Sequence, residues 1–130
     1  FRTKTVRRLK LESMLVDGMQ LYDDGRMAVI ALSLSMMASV GATEEDIDDI
    51  SAFIGQVEGV STSVTLRELQ RDQWKLSLRT NPDELNASKV CALLGGGGHP
   101  AASGATIDGN LEQAADAVIS AIRTMQTAAN

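Results

Sequence analysis

Aromatic rings are scarce in this chain of 130 residues: one Trp, one Tyr and two Phe. A broad base-stacking platform for nucleic acid needs exposed rings, so that class is disfavoured. There is no excess of positive charge. Twelve Lys and Arg face seventeen Asp and Glu, for a formal net charge of −5, which disfavours an extended nonspecific grip on duplex DNA. A short nucleic acid or a nucleotide needs only a local cationic pocket and stays in play. A single cysteine excludes an internal disulfide framework and fits a reducing, cytoplasmic setting. Cys91 sits in the apolar run Val90-Cys91-Ala92-Leu93-Leu94, so a buried thiol is expected rather than a nucleophile. No signal peptide is visible. The longest uncharged stretch, residues 27–43, contains Ser and Gly and reads as a buried strand plus a connection, not a membrane span. The chain starts at Phe1 rather than Met, which suggests a piece of something longer.

Glycine, by contrast, is concentrated in one place: Gly95-Gly96-Gly97-Gly98, followed by His99-Pro100-Ala101-Ala102-Ser103-Gly104. Four successive residues without Cβ carry a large entropic cost. A folded domain keeps them where main chain turns sharply or approaches something closely. Successive glycine N–H groups can form a concave nest for anionic oxygens. Pro100 suits the first turn of a short helix whose free N–H groups favour the same ligand. His99 is the only histidine. The spacing matches neither the GxxxxGK[ST] phosphate loop nor the dinucleotide-binding pattern.

In order along the chain, Val6, Leu9, Met14, Leu15 and Met19 give an imperfect helical stripe beneath a basic run of Arg2, Lys4, Arg7, Arg8 and Lys10. That run reads as a solvated face or as a docking surface for a preceding domain. Tyr22-Asp23-Asp24-Gly25 signals a turn, and residues 27–32 a strand covered on both faces. Thr43 with Asp46 is a capping-box start, predicting a helix over 43–57 with Ile47, Ile50, Ile54 and Val57 inward, ending at Gly55 or Gly59. Its acidic first turn complements the helix dipole and, with no His or Cys joining it, is not read as a metal site. Residues 60–80 alternate with period two on two runs, predicting a hairpin with one buried and one polar face. A loop of four, residues 69–72, would set Arg67 opposite Trp74 and mismatch the faces. An odd loop is therefore required, which puts Arg67 and Arg79 on one polar face near opposite ends of the hairpin. Asn86 caps a helix that ends at Gly95, residues 105–107 form a brief strand, and Asn110 with Gln113 opens a final amphipathic helix whose tail frays from Thr127.

The glycine motif with the small-residue run to Gly104, Glu58-Gly59-Val60, Leu66-Arg67-Glu68 and Leu76-Ser77-Leu78-Arg79-Thr80, in that relative order, resembles the DHH-associated domain. That domain is the C-terminal lobe of DHH-superfamily phosphoesterases. The likeness is nearest to the bacterial nanoRNases, which are oligoribonucleases and 3′-phosphoadenosine-5′-phosphate phosphatases, with RecJ-like exonucleases and cyclic-dinucleotide phosphodiesterases as relatives. It implies an α/β fold, a small mixed sheet flanked by helices. Residues 1–24 would lead in from a preceding catalytic lobe, and 25–127 would form the substrate-binding domain. It also implies that Gly95, Gly96, Gly97, Gly98 and His99 contact substrate, with Arg79 on its phosphate and Arg67 as a further contact. In that family manganese lies in the other lobe, on Asp and His ligands that this sequence lacks. No metal or cofactor is therefore expected on this chain, and the chain alone is expected to be inactive. Ser103 stands where the commonest pattern has alanine.

The implied partners are short single-stranded RNA or nucleotide phosphates, the DHH catalytic lobe, and a second copy of the chain as a candidate homodimer; a membrane is not among them. Two rivals stand beside this reading. One is a nonenzymatic RNA-binding module like the C-terminal domain of alanyl-tRNA synthetase. The other is a structural or dimerisation domain whose glycines only allow close packing.

Overall fold

The computed structural model describes residues 3–128. Helix α1 (Val6–Gly18) leads into β1 (Gln20–Tyr22) and β2 (Met27–Leu32). Helix α2 (Leu34–Val40) and three 3-10 turns (Glu44–Ile47, Ile50–Ala52, Ile54–Gln56) follow. The hairpin β3 (Thr62–Gln70) and β4 (Gln73–Thr80), helix α3 (Ala87–Leu93), the hairpin β5 (Gly97–His99) and β6 (Ala102–Asp108), and helix α4 (Leu111–Ala128) complete the chain. The strands form one six-stranded sheet in the order β1-β2-β3-β4-β6-β5. Only β2 and β3 run parallel; every other pair is antiparallel. The architecture is the small mixed sheet flanked by helices that the sequence implied.

The sheet has two cores because β2 is buried on both faces, as its unbroken apolar run required. Met27 and Val29 face a cluster with Val64, Leu66, Leu76 and Leu78, roofed by Val90 of α3 and by Val118 and Ile122 of α4. Ala28, Ile30 and Leu32 face the opposite cluster, made with Leu11 and Leu15 of α1 and with Ile47, Ile50 and Ile54. The inward residues of α1 are Leu11 and Leu15; Val6 and Leu9, placed in the stripe by sequence, are exposed.

Residues 43–57 do not form the expected α-helix. Asp49 adopts φ +56°, a left-handed conformation that interrupts any α-helix, and the segment proceeds as 3-10 turns. The inward choice of Ile47, Ile50 and Ile54 is nevertheless realised, whereas Val57, also expected inward, is exposed. The Thr43–Asp46 reciprocal cap also forms, with the Thr43 N–H donating to Asp46 Oδ2 at 2.8 Å. Asp46, almost wholly buried, further accepts from Arg7 Nε and from the Thr5 hydroxyl, each at 2.8 Å. Arg7, together with the Thr43 N–H and the Thr5 hydroxyl, holds its carboxyl far below the ordinary value. Lys4 and Arg8 both pair with Glu12, and Arg8 also donates to the Asp46 and Asp48 carbonyls. The basic run thus clamps α1 onto the first 3-10 turn. Arg2 lies outside the described residues.

The connection expected at 33–43 holds helix α2, capped by Ser33, whose hydroxyl accepts from the Met36 N–H. The β3–β4 register is the one the face-matching argument demanded. Arg67 pairs with Lys75 and Glu68 with Trp74, and a bulge between Glu68 and Gln70 supplies the odd residue above a two-residue turn. Asn110 and Gln113 exchange backbone-to-side-chain bonds of 2.8 and 2.9 Å at the start of α4. Near the other end of α4, Arg123 pairs with Asp23 of the β1–β2 turn at 2.8 Å. No helix among the described residues is long and apolar enough to cross a membrane.

Candidate functional site

The two faces of the sheet are covered unequally. Helices α3 and α4 span one face. On the other, α1 and the 3-10 turns cover β2 and β3 and overhang β4, where they share cavities with Lys75, Ser77 and Arg79, and no helix or 3-10 turn among the described residues packs over β6 and β5. Residues directly opposite each other in a ladder project to the same face. The register therefore lays out that open half: Ser63, Arg79, Ala102 and His99 form one row, and Thr65, Ser77, Gly104 and Gly97 the next. Arg67, Lys75 and Thr106 form a third. Arg79, Lys75, Thr106, Ala102 and His99 are exposed. The face is thus a floor of small residues on β6, with guanidinium and ammonium groups along one side and an imidazole on the other. With strands ~4.8 Å apart, His99 and Arg79 flank β6 roughly 10 Å from each other at the backbone.

The glycine run is not a nest before a helix. Pro100 does not start a helix; Pro100 and Ala101 form the tip of the β5–β6 hairpin, and Gly97 and Gly98 lie in β5 at the sheet edge. The expected brief strand at 105–107 is the seven-residue β6, long enough to pair with both β4 and β5. The tip is anchored. The Pro100 carbonyl accepts from the Ala87 N–H at 2.7 Å and from the Thr80 hydroxyl at 3.1 Å, and the Thr80 N–H donates to the Ala101 carbonyl at 2.9 Å. Ser103 points to the other face, and its hydroxyl donates to the His99 carbonyl at 2.9 Å. Its departure from alanine therefore ties the hairpin together.

Each glycine of the run has its own reason. Gly95, at φ +82°, closes α3 in a Schellman arrangement, with Gly95 N–H on Ala92 O and Gly96 N–H on Cys91 O. A Cβ on Gly96 would run into the Gly104 carbonyl and stand 2.7 Å from Ala105 Cβ. A Cβ on Gly98, itself at φ +149°, would stand 2.8 Å from the Ala102 carbonyl. Gly97 alone has neither constraint: a Cβ there would meet nothing within 4 Å and would stand on the open face.

Arg67 is not brought to this row. It lies two rows along from Arg79, half-buried, with Nη1 2.7 Å from Glu44 Oε2. Cys91 is buried, and burial pushes its thiol pKa up, as a core residue requires. Among the described residues no three His, Cys, Asp or Glu side chains gather to hold a metal ion, so they do not fit the manganese centre of the implied enzyme. Ser63, Lys75, Ser77 and Thr106 were not singled out by sequence. The period-two alternation of 60–80 was the signal for the first three; Thr106 depends on the β4–β6 pairing, which local pattern does not reveal.

The whole sheet has known counterparts. A DHHA1 domain profile matches residues 26–124. The chain is 41% identical over 87 residues to the bifunctional oligoribonuclease and PAP phosphatase NrnA of Thermus thermophilus, covering 66% of this chain and 26% of that protein. A crystal structure of an exopolyphosphatase-related protein from Bacteroides fragilis superposes with a TM-score of 0.83 at 25% identity, over 96% of this chain and 36% of that one. The pGpG-specific phosphodiesterase PggH from Vibrio cholerae shares the fold, with a TM-score of 0.65 at 15% identity over 93% of this chain and 39% of that one. The chain thus spans well under half the length of each. With strands β2 to β6, helices α2 and α3 and most of α4 inside the matched segment, this chain belongs to the DHHA1 domain family.

Proposed function

We propose that this chain is the substrate-holding lobe of a DHH phosphoesterase, taking short single-stranded oligoribonucleotides or nucleotide phosphates on the open half of its sheet. The observation that carries the reading is the row Arg79–Ala102–His99, with the Cβ-less Gly97 beside it on an uncovered polar face. Arg79 offers a planar fork of N–H donors to a phosphate. His99 donates to a phosphate or a base, and the Gly97 backbone admits a ligand to contact distance. The likeness to an oligoribonuclease and PAP phosphatase supports the substrate class. The net charge of −5 is compatible with it, because the ligand is gripped at one row and not along a basic stripe. This lobe's contribution is to bind, orient and neutralise charge. Hydrolysis belongs to a manganese-bearing DHH lobe, which these residues cannot replace. Cyclic dinucleotides and single-stranded DNA are the competing ligands for the same row.

The test is calorimetric titration of the chain with a 5′-phosphorylated short oligoribonucleotide, with tRNA and single-stranded DNA as comparators. Binding without hydrolysis is expected. Arg79→Ala should remove a charge-assisted contact worth ~1.5–3 kcal/mol, a loss of about tenfold or more. Unchanged binding in Arg79→Ala would overturn the proposal, and preference for tRNA would favour a nonenzymatic RNA-binding module.

A further inference from the structure

The cavity beside Lys75 and Ser77 holds about 240 Å³ between the first two 3-10 turns and the β3–β4 hairpin. That is just below the ~300–1,000 Å³ of common ligand pockets, so it suits a molecule smaller than a nucleotide. Thr65 lines it from the strand side. The Thr65 side chain projects to the same face as its ladder partner Ile30, toward the 3-10 turns, and is only 2% exposed. Its Oγ1 has no hydrogen-bond partner among the described residues. A buried hydroxyl left unpaired bears its full desolvation cost, and a ligand reaching into the cavity would supply the missing bond.

The charges around Thr65 are sorted by element. The strand side is cationic: Arg67 and Lys75 pair across the ladder, one row along from Thr65 and Ser77. The turn side is acidic, with Glu44, Asp48 and Asp49, while Ile47 and Ile50 supply an apolar wall. Glu44 reaches across to Arg67, Oε2 to Nη1 at 2.7 Å. Lys75 is exposed and forms no ion pair among the described residues.

This lining selects against a ligand of one sign. A metal ion would meet the ammonium and guanidinium groups, and the acidic side chains do not gather into a ligand set. A phosphate would face three carboxylates against two cations. A molecule carrying both signs is matched on both sides. Its carboxylate would accept from the Lys75 ammonium and from the Thr65 and Ser77 hydroxyls, and its ammonium would donate to the turn carboxylates. A carboxylate offers about four acceptor positions, so those of the turns can take a ligand in addition to protein partners. The geometry points to a binding site for a free α-amino acid, seated between the acidic 3-10 turns and the Thr65–Ser77 and Arg67–Lys75 rows. The site is separate from the phosphate grip proposed above, since Arg79 is not among the described residues that line it.

The experiment screens the common amino acids at millimolar concentration for a rise in melting temperature. The strongest is then titrated by calorimetry into the wild-type chain, Thr65→Val and Lys75→Met. Its deaminated acid, its decarboxylated amine and inorganic phosphate are the comparators. At least one amino acid should raise the Tm of the wild type, and each single-charge analogue should bind about tenfold more weakly. Thr65→Val should lose about tenfold in affinity yet melt no lower than the wild type, because a methyl replaces an unpaired buried hydroxyl. Lys75→Met should weaken binding by a similar factor without lowering the Tm. The proposal is overturned if no amino acid binds, or if phosphate or either analogue binds as tightly. Wild-type affinity in Thr65→Val or in Lys75→Met overturns it equally. If Thr65→Val melts below the wild type, the hydroxyl is paired within the fold and the argument for a ligand falls. If a short phosphorylated oligoribonucleotide displaces the amino acid, the cavity belongs to the phosphate-binding face and the separate site is refuted.

Discussion

Alanine at two adjacent glycines should push stability in opposite directions. At Gly96 the added methyl would collide with backbone of β6: the Gly104 carbonyl, and Ala105 Cα at 2.8 Å. These atoms belong to a strand hydrogen-bonded on both sides, so it cannot retreat without breaking a ladder. The cost belongs at the upper end of the overpacking range, about 3 kcal/mol. At Gly97 the methyl meets nothing within 4 Å and the backbone is not left-handed. Removing a glycine from the unfolded ensemble should then stabilise the fold by about 0.5–1 kcal/mol. For a chain of this size a kcal/mol corresponds to roughly 3–5 °C in Tm. Gly96→Ala should therefore melt some 9–15 °C below the wild type, and Gly97→Ala a few degrees above it. Yet Gly97→Ala should bind the short phosphorylated oligoribonucleotide about tenfold more weakly, ~1.4 kcal/mol, because the methyl stands where the ligand meets main chain. Scanning calorimetry and titration of the same two samples check both statements. If Gly97→Ala melts as low as Gly96→Ala, the two glycines share one packing role and the account of the run is wrong. If Gly97→Ala binds like the wild type, the ligand does not approach there.

Two further outcomes follow from single side chains. Asp46 is held below its ordinary pKa of 3.8 chiefly by Arg7, so its stabilising contribution is full above that value and disappears as pH falls through the folded-state pKa. Asp46→Asn should thus be less stable than the wild type at pH 7, with the gap in urea midpoint closing below about pH 4; a gap constant down to pH 2 would refute the charge-based account. Asn110→Ala removes the side-chain acceptor of the Gln113 N–H and should cost about 1 kcal/mol, a fall of roughly 3–5 °C in Tm. A change below 1 °C would show that α4 is held by its buried face alone.

What the sequence revealed depended on whether the signal was local. The β3–β4 pairing could be worked out because period-two alternation on both runs leaves only registers of one parity, and a bulge supplied it. The caps at Asn86 and Asn110 are likewise written within four residues. The expected helix at 43–57 shows the limit: its apolar spacing selected Ile47, Ile50 and Ile54 for burial, but spacing of three and four suits 3-10 turns as well as an α-helix. Nothing in the apolar pattern announces the left-handed Asp49. The glycine run was misread for a related reason. Consecutive glycines carry no side-chain period, so strand and nest look alike until a partner strand is known, and that partner lies across the turn at Pro100, a residue that equally suits a helix start.

Uneven coverage of the sheet turns these pieces into a site. Burying both faces of β2 uses α1 and the 3-10 turns on one side and α3 with α4 on the other, and no element remains for the far half of the first side. An uncovered half-sheet of apolar residues would call for a hydrophobic partner. This half instead shows Lys75, Ser77, Arg79, Thr106 and His99 around Ala102, Gly104 and Gly97, so its alternation conflicts with burial under a greasy surface. Small residues at the centre keep the floor low, and the charged groups stand at its margin. A purely structural role would explain Gly95, Gly96 and Gly98, each fixed by a cap or a close contact, but it gives no reason for Gly97 or for an anchored hairpin that presents the imidazole across β6 from a guanidinium with no ion pair among the described residues. A phosphorylated ligand lying across β6 gives a reason for all of them together.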